Sequence, residues 1–315
     1  MAQQKVDIRK LKVAVLTGGI GAERDVSLQS GKCVEEALRA ANVNVSMYDI
    51  APGSLSVLEE KDIDIFFLAL HGPFGEDGQL QQILEDKRLI YTGSGPAASR
   101  LAFDKMASKE AFATAGLEVA KAFEFREDTD RLQLEKELDK FSNIFVVKPV
   151  RQGSSVGVSI VNGIDRAISA AEECLTGFGD CMLEEFIPGK EVTVGILAGR
   201  TLPLIEVRPK NSFYDYHAKY VDDQTQYLFD TIDDPALITQ IENAAMDCFN
   251  ALGCRHFARV DFILGDDNIP YPLEVNTIPG LTTHSLIPKA AEKAEMNMSD
   301  LCIKIIETAM EERQP

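Results

Sequence analysis

The chain is predicted to be an α/β protein whose first ~95 residues form an open parallel sheet. Two observations carry this. Short apolar runs at 12–17, 43–48 and 63–70 alternate with a segment of helical apolar spacing at 26–40. Gly18–Glu23 and His71–Gly78 follow two of those runs, at the strand ends where such sheets bind ligands.

The elements follow in order. Lys12–Thr17 is a buried strand that ends in Gly18-Gly19, Val26–Ala40 is a helix, and Val43–Tyr48 and Ile63–Leu70 are strands. Tyr91–Pro96 has the turn chemistry of a boundary. One helix is predicted from about Ala97 to Ala115, then strands near Lys121–Phe125, Ile144–Lys148 and Val158–Val161. A second boundary falls near Pro188-Gly189, and helices are expected at Pro235–Leu252 and Ser299–Glu312. Arg208–Gln226 has aromatic and charged residues without a period, as in a long functional loop.

The richest segment is 258–276. If Leu264 and Ile269 flank the turn Gly265–Asn268, then Ala258, Val260, Phe262, Leu264, Ile269, Tyr271, Leu273 and Val275 share an apolar hairpin face. Arg259, Asp261, Glu274 and Asn276 share the other. Two carboxylates, an amide oxygen and a guanidinium suit Mg²⁺ and phosphate better than a soft metal.

Composition narrows the function. The 315 residues carry a formal charge of −18, which opposes nucleic-acid binding. No apolar leader and no membrane-length run is present, and six cysteines lack C-x-x-C spacing. A cytoplasmic protein with reduced thiols is therefore expected. Four histidines without H-E-x-x-H argue against catalytic zinc.

Phe145–Gly157 runs from a strand through a Gly- and Ser-rich turn into another strand. Backbone N–H groups around Gly153 and Gly157, with the Ser154 and Ser155 hydroxyls, suit anionic oxygens, and Lys148 adds charge. Gly153–Gly157 also matches G-x-S-x-G, but the β-branched run after it opposes the helix that a serine nucleophile requires. Gly19–Arg24 ends in Arg where a dinucleotide fingerprint needs Gly, and neither Gly31-Lys32 nor Gly189-Lys190 precedes Ser or Thr. An ATP site must therefore be of another kind.

Together these stretches resemble the ATP-grasp ligases, within them the D-alanine–D-alanine ligase family. Gly18–Ser27, Leu70–Gly78, Tyr91–Gly95, Val147–Gly157, Phe213–Tyr220, Arg259–Asp261, Leu273–Asn276 and Pro279–Leu286 carry the likeness, in this order. The resemblance implies a three-domain ATP-grasp architecture: an N-terminal α/β substrate-side domain (1–96), a central subdomain (97–187) and a C-terminal domain with metal and catalytic residues (188–315).

It also implies roles. Lys105 and Lys148 would contact the nucleotide phosphates with Ser155, and Lys219 would reach the γ-phosphate. Glu184, Glu185, Phe186 and Ile187 would form the adenine-side strand, Glu185 through its backbone, and Glu191 would hold the ribose. Asp261, Glu274 and Asn276 would carry two Mg²⁺ (or Mn²⁺). Glu23, Ser154 and Tyr220 would form a network about the first substrate, with His71 nearby. Arg259 and the Gly280 N–H would stabilise an oxyanion, and Ser285 with the Leu286 N–H would take the second carboxylate at a helix start.

The implied reaction joins two D-alanines with ATP through a D-alanyl phosphate for peptidoglycan precursors, in a homodimer. Rival readings are a D-alanine–D-lactate ligase, opposed by Tyr220, a catalytically dead sensor of ATP or D-alanine, and a Ser155 hydrolase. Taken singly, Lys105 fits a solvated helix face and Glu23 a favourable helix dipole. Tyr214, Tyr216 and Tyr220 fit loop anchors, His256 and His284 fit structural roles, and His217 receives none.

Overall fold

In a computed structural model of the protein, residues 6–140, 143–209 and 225–311 are described. They form three sheets. β1 (Lys12–Gly18) lies between β2 (Asn44–Ile50) and β3 (Ile65–Leu68), parallel to both. The period-2 alternation of β1 feeds two cores. Val13 and Val15 pack with Val34 and Leu38 of α1 (Arg24–Ala40) and with α9 (Met298–Glu311), whereas Ala14 and Leu16 pack with Leu80 and Leu84 of α2 (Gln79–Asp86). A helix near the C-terminal end therefore covers the N-terminal sheet.

The second sheet is antiparallel, in the order β4 (Ala122–Phe125), β7 (Cys181–Glu185), β5 (Ile144–Pro149), β6 (Ser159–Asn162). Phe145 and Val147 face a core with α5 (Arg131–Leu138) and α6 (Ile164–Phe178). Val146 and Lys148, one residue out of phase, face a cavity. β6 follows the 150–158 loop, so Ser155 lacks the helix of a nucleophile elbow.

The third sheet runs β11 (Gln226–Leu228), β10 (Ile205–Arg208), β8 (Gly189–Leu197), β12 (Phe257–Gly265), β13 (Pro270–Asn276), and β9 (Arg200–Thr201) pairs with β8. Val192, Val194, Val260 and Phe262 bury one face against α7 (Pro235–Ala251) together with Ala102 and Phe112. The other face carries the charged hairpin groups. α8 (Leu286–Lys293) follows β13 and packs, with α9, in the core that holds α1.

Three expectations need correction. The helix predicted from about Ala97 to Ala115 is two helices, α3 (Pro96–Phe103) and α4 (Lys105–Thr114). Asp104 between them is extended, and its carboxylate accepts from the Ala107 N–H at 3.0 Å. That N-cap restarts the chain and places Lys105 at the first position of α4.

The hairpin parity is the second correction. Arg259, Asp261, Glu274 and Asn276 share a face, as the alternation predicts; Arg259 pairs with Asn276 and Asp261 with Glu274, but Phe262 pairs with Pro272 and Ile263 with Tyr271. A bulge at this point changes the phase. Pro270 and Pro272 are buried, and Tyr271 and Leu273 instead join Ile263 along a cavity wall.

The third concerns the adenine-side segment. β7 ends at Glu185, and Phe186 and Ile187 lie in the connection to β8 rather than in a strand.

Candidate active site

Two cavities lie against the charged face of the third sheet and share the residues between them. One, of about 460 Å³, is lined by Lys105, Lys148, Ser155 and Glu184 to Ile187. The other, of about 360 Å³, is lined by Glu23, His71, Ser154, Arg259, Asn276, Gly280, Ser285 and Leu286. Glu191, Asp261 and Glu274 border both. Residues expected at a nucleotide thus line the first cavity, and those expected at the amino-acid substrates line the second. Lys219 and Tyr220 lie outside the described residues.

Asp261 organises the shared wall. Arg259, two residues earlier on the same strand face, donates from Nε and Nη2 to its two carboxylate oxygens at 2.8 and 2.7 Å. The Thr193 hydroxyl donates to Oδ1 at 2.6 Å and Asn276 Nδ2 to Oδ2 at 3.0 Å. Such a bidentate, charge-assisted pair fixes the guanidinium plane.

Lys105 Nζ donates to the Gln152 carbonyl at 2.6 Å and lies 3.1 Å from Glu274 Oε2. The start of α4 is also tied to the phosphate loop by the Lys105 N–H on the Val150 carbonyl at 3.2 Å. In that loop Ser154, Ser155 and Gly157 have φ of +55°, +57° and +73°. A Cβ built on Gly157 would lie 2.6 Å from the Phe178 ring, so the turn admits Gly there.

Glu23 stands at the start of α1 and accepts from the Ser154 hydroxyl. His71 is buried and, with burial dominating, its pKa is pushed down to about 4. Its Nδ1 donates to the Ile278 carbonyl at 3.0 Å, so Nε2 accepts from Ser30 Oγ at 3.1 Å. This neutral tautomer follows from the carbonyl being acceptor-only. Ser30 Oγ in turn accepts from the Leu281 N–H at 3.3 Å, and the chain segment that carries Gly280 is thereby fixed to α1. Ser285 stands at the N-cap position of α8 without bonding a helix N–H, and its Oγ accepts from the Thr282 N–H at 3.0 Å.

Comparisons with known proteins show the family. The family model "D-ala D-ala ligase C-terminus" matches residues 111–307, and "D-ala D-ala ligase N-terminus" matches residues 53–94. The D-alanine–D-alanine ligase of Methylacidiphilum infernorum is 40% identical over 298 residues, 94% of each chain. The chain belongs to the D-alanine–D-alanine ligase family. The crystal structure of a Bacillus anthracis D-alanine–D-alanine ligase complexed with ATP matches at a TM-score of 0.83 and 36% identity, over 96% of this chain and 98% of that one. The VanG D-Ala:D-Ser ligase of Enterococcus faecalis matches at 0.84 and 26%, over 95% and 99%.

Within this ligase-family chain, sequence reasoning passed over several groups of the site. Glu76 lies inside the quoted His71–Gly78 stretch and lines the smaller cavity, where burial, then Glu23 and more weakly Glu274, push its pKa up to about 8. Its alternation with glycine and aspartate resembled ordinary turn chemistry. Thr193 holds Asp261 from a neighbouring strand, a contact no local pattern announces. Lys109 is buried and lies 2.5 Å from Glu184. Its spacing of four residues from Lys105 was the available signal.

The donor set fits a hard divalent cation: Asp261, Glu274 and the Asn276 amide lie on one sheet face without thiol or imidazole. Among the described residues no cluster of three His, Cys, Asp or Glu could hold a metal. Two carboxylates and an amide match the way Mg²⁺ is held when substrate phosphates complete its shell. Among the described residues no helix is long and apolar enough to cross a membrane.

Proposed function

We infer that the chain joins two D-alanines into D-alanyl-D-alanine, with release of ADP and phosphate, as an ATP-dependent ligase supplying peptidoglycan precursors. The carrying observation is the shared wall. Asp261 and Glu274 border both the cavity with the lysines and the cavity with Glu23 and His71. A phosphoryl group held at that wall can pass from nucleotide to amino acid without leaving the protein.

Lys105, Lys148 and Ser155 bind the phosphates, Glu184 to Ile187 flank the adenine and Glu191 the ribose. Glu23, fixed by Ser154, takes the first ammonium. The carboxylate of that D-alanine attacks the γ-phosphoryl and becomes an acyl phosphate, a step governed mainly by positioning and charge. The second D-alanine, its carboxylate at Ser285 and the Leu286 N–H, then attacks the carbonyl. Arg259 and the Gly280 N–H hold the developing oxyanion, and phosphate leaves. Two Mg²⁺ or Mn²⁺ at Asp261, Glu274 and Asn276 would neutralise charge on the phosphates. Lys219 and Tyr220 keep their expected roles at the γ-phosphate and in the Glu23 network.

The proposed division is 1–96, 97–187 and 188–315. Within it α3 and α4 of the middle segment pack onto the third sheet's core. We further propose a cytoplasmic homodimer with no nucleic-acid or membrane partner.

The test is ADP release with Mg²⁺-ATP and D-alanine, L-alanine, D-lactate or D-serine, with products identified by mass. Dipeptide formed only with D-alanine is expected, and EDTA should abolish it. ATP binding without turnover on any of these would overturn the assignment. A mixed depsipeptide or D-alanyl-D-serine as the main product would change only the second substrate.

A further inference from the structure

Glu184 is 2% exposed, and each of its carboxylate oxygens faces a different lysine. Lys148 Nζ lies 2.6 Å from Oε2 and Lys109 Nζ 2.5 Å from Oε1; both lysines are 7% exposed. Glu184 and Lys148 line the larger cavity. Lys109 stands behind them on α4, one turn after Lys105, and residues four apart share a helix face. Burial pushes Lys109 down, whereas Glu184, which burial alone would raise, is held below the usual carboxylate range by Lys148 and Lys109.

Two buried cations share one buried anion, with Glu185 acting more weakly on Lys109, so the Glu184 carboxylate is divided between two lysines rather than given to Lys148 alone. A buried charge that must share its partner is left poorly compensated until an anion arrives. With Lys109 removed, Lys148 and Glu184 would close into a neutral pair, and Lys148 would have less to offer a phosphate.

We propose that Lys109 is a positioning residue for the nucleotide: it holds one oxygen of Glu184 so that Lys148 remains available to ATP. This rests on the reading of the larger cavity as the ATP site. Lys109 touches no substrate and acts only through Glu184. The same helix presents Lys105 to Glu274, so α4 links the second sheet to the third across the nucleotide cavity.

The experiment is a double-mutant cycle on the full chain, read by Mg²⁺-ATP binding in a calorimeter without D-alanine and by steady-state kinetics. Lys109→Met is expected to weaken ATP binding and raise the KM for ATP by about 10- to 100-fold, the usual effect of losing a group that orients a ligand-binding residue. The KM for D-alanine should stay within about twofold, as for independent sites. In the Glu184→Gln background the same substitution should change ATP binding by less than about twofold. This arm remains readable if Lys109→Met alone fails to fold, because the double variant no longer buries the carboxylate. Unchanged ATP affinity in folded Lys109→Met, or a further loss of about tenfold or more in the Glu184→Gln background, would overturn the proposal. Wild-type protein that binds no ATP would instead sink the nucleotide reading on which it rests.

Discussion

Glu23 and Ser154 are 131 positions apart in sequence, yet the Ser154 hydroxyl donates directly to the Glu23 carboxylate. The contact ties the start of α1 to the loop between β5 and β6, and it closes one side of the smaller cavity. Glu23→Gln preserves shape and removes charge. Hydrogen bonds involving a charged group contribute about 1.5–3 kcal/mol, so kcat/KM for D-alanine should fall by about 10- to 100-fold. ATP affinity, measured by calorimetry, should be unchanged; a parallel loss there would show that the contact serves the phosphate loop instead.

Arg259→Met should be more damaging. It removes the proposed oxyanion donor, for which a loss of about 10²–10³ in kcat is typical. It also deprives the buried Asp261 of its bidentate partner, so Tm should fall as well. Arg259→Lys keeps the charge but not the planar fork, and it should recover Tm more fully than kcat. Near-wild-type turnover in either variant would remove Arg259 from the mechanism.

His71 makes stability depend on acid. Its pKa of about 4 lies below the ordinary 6.5, so the unfolded chain binds the extra proton first. The stability contributed by neutral His71 is complete above pH 6.5 and is lost as pH falls toward 4, by about 3 kcal/mol in total. Urea denaturation at pH 7 and pH 5 should show a loss that His71→Gln reduces. An identical pH slope in the variant would refute the assignment.

Glu76 has the opposite sign. Its pKa of about 8 in the folded chain exceeds the ordinary 4.5, so the native state holds the proton and loses stability as pH rises from 4.5 through 8. Glu76→Gln should flatten that decline and raise Tm above pH 8. A lower Tm for the variant at pH 9 would count against the raised pKa of Glu76.

Gly157→Ala combines positive φ with contact against Phe178. A left-handed non-glycine residue costs roughly 1–2 kcal/mol, and the KM for ATP should rise with the displaced loop. Phe178 is 42% exposed, so Phe178→Ala in the same chain should relieve the clash but not the backbone strain. Partial recovery of KM is therefore expected, and its absence would place the whole effect in the backbone.

Much of the N-terminal sheet was legible because β1 to β3 are short apolar runs between turn residues. The shared face of Arg259, Asp261, Glu274 and Asn276 was legible from alternation alone; which of them pair was not, because the register across the hairpin shifts at the bulge. The face of Tyr271 was not, since a bulge shifts the phase without a distinctive residue type. The break at Asp104 was missed because apolar spacing continues through it, and only the cap to Ala107 reveals the restart.

By itself, the sequence determined the α/β class, the Gly-Ser loop after a lysine-bearing strand and the hard-donor set on one hairpin face, all consequences of local periodicity and residue chemistry. The tertiary structure decided which of these meet. It set Ser154 against Glu23, gave Lys148 and Lys109 the two oxygens of one buried glutamate, and made Asp261 and Glu274 a wall common to two cavities. Those relations depend on how the sheets and helices pack, and packing joins residues whose separation along the chain carries no local signal.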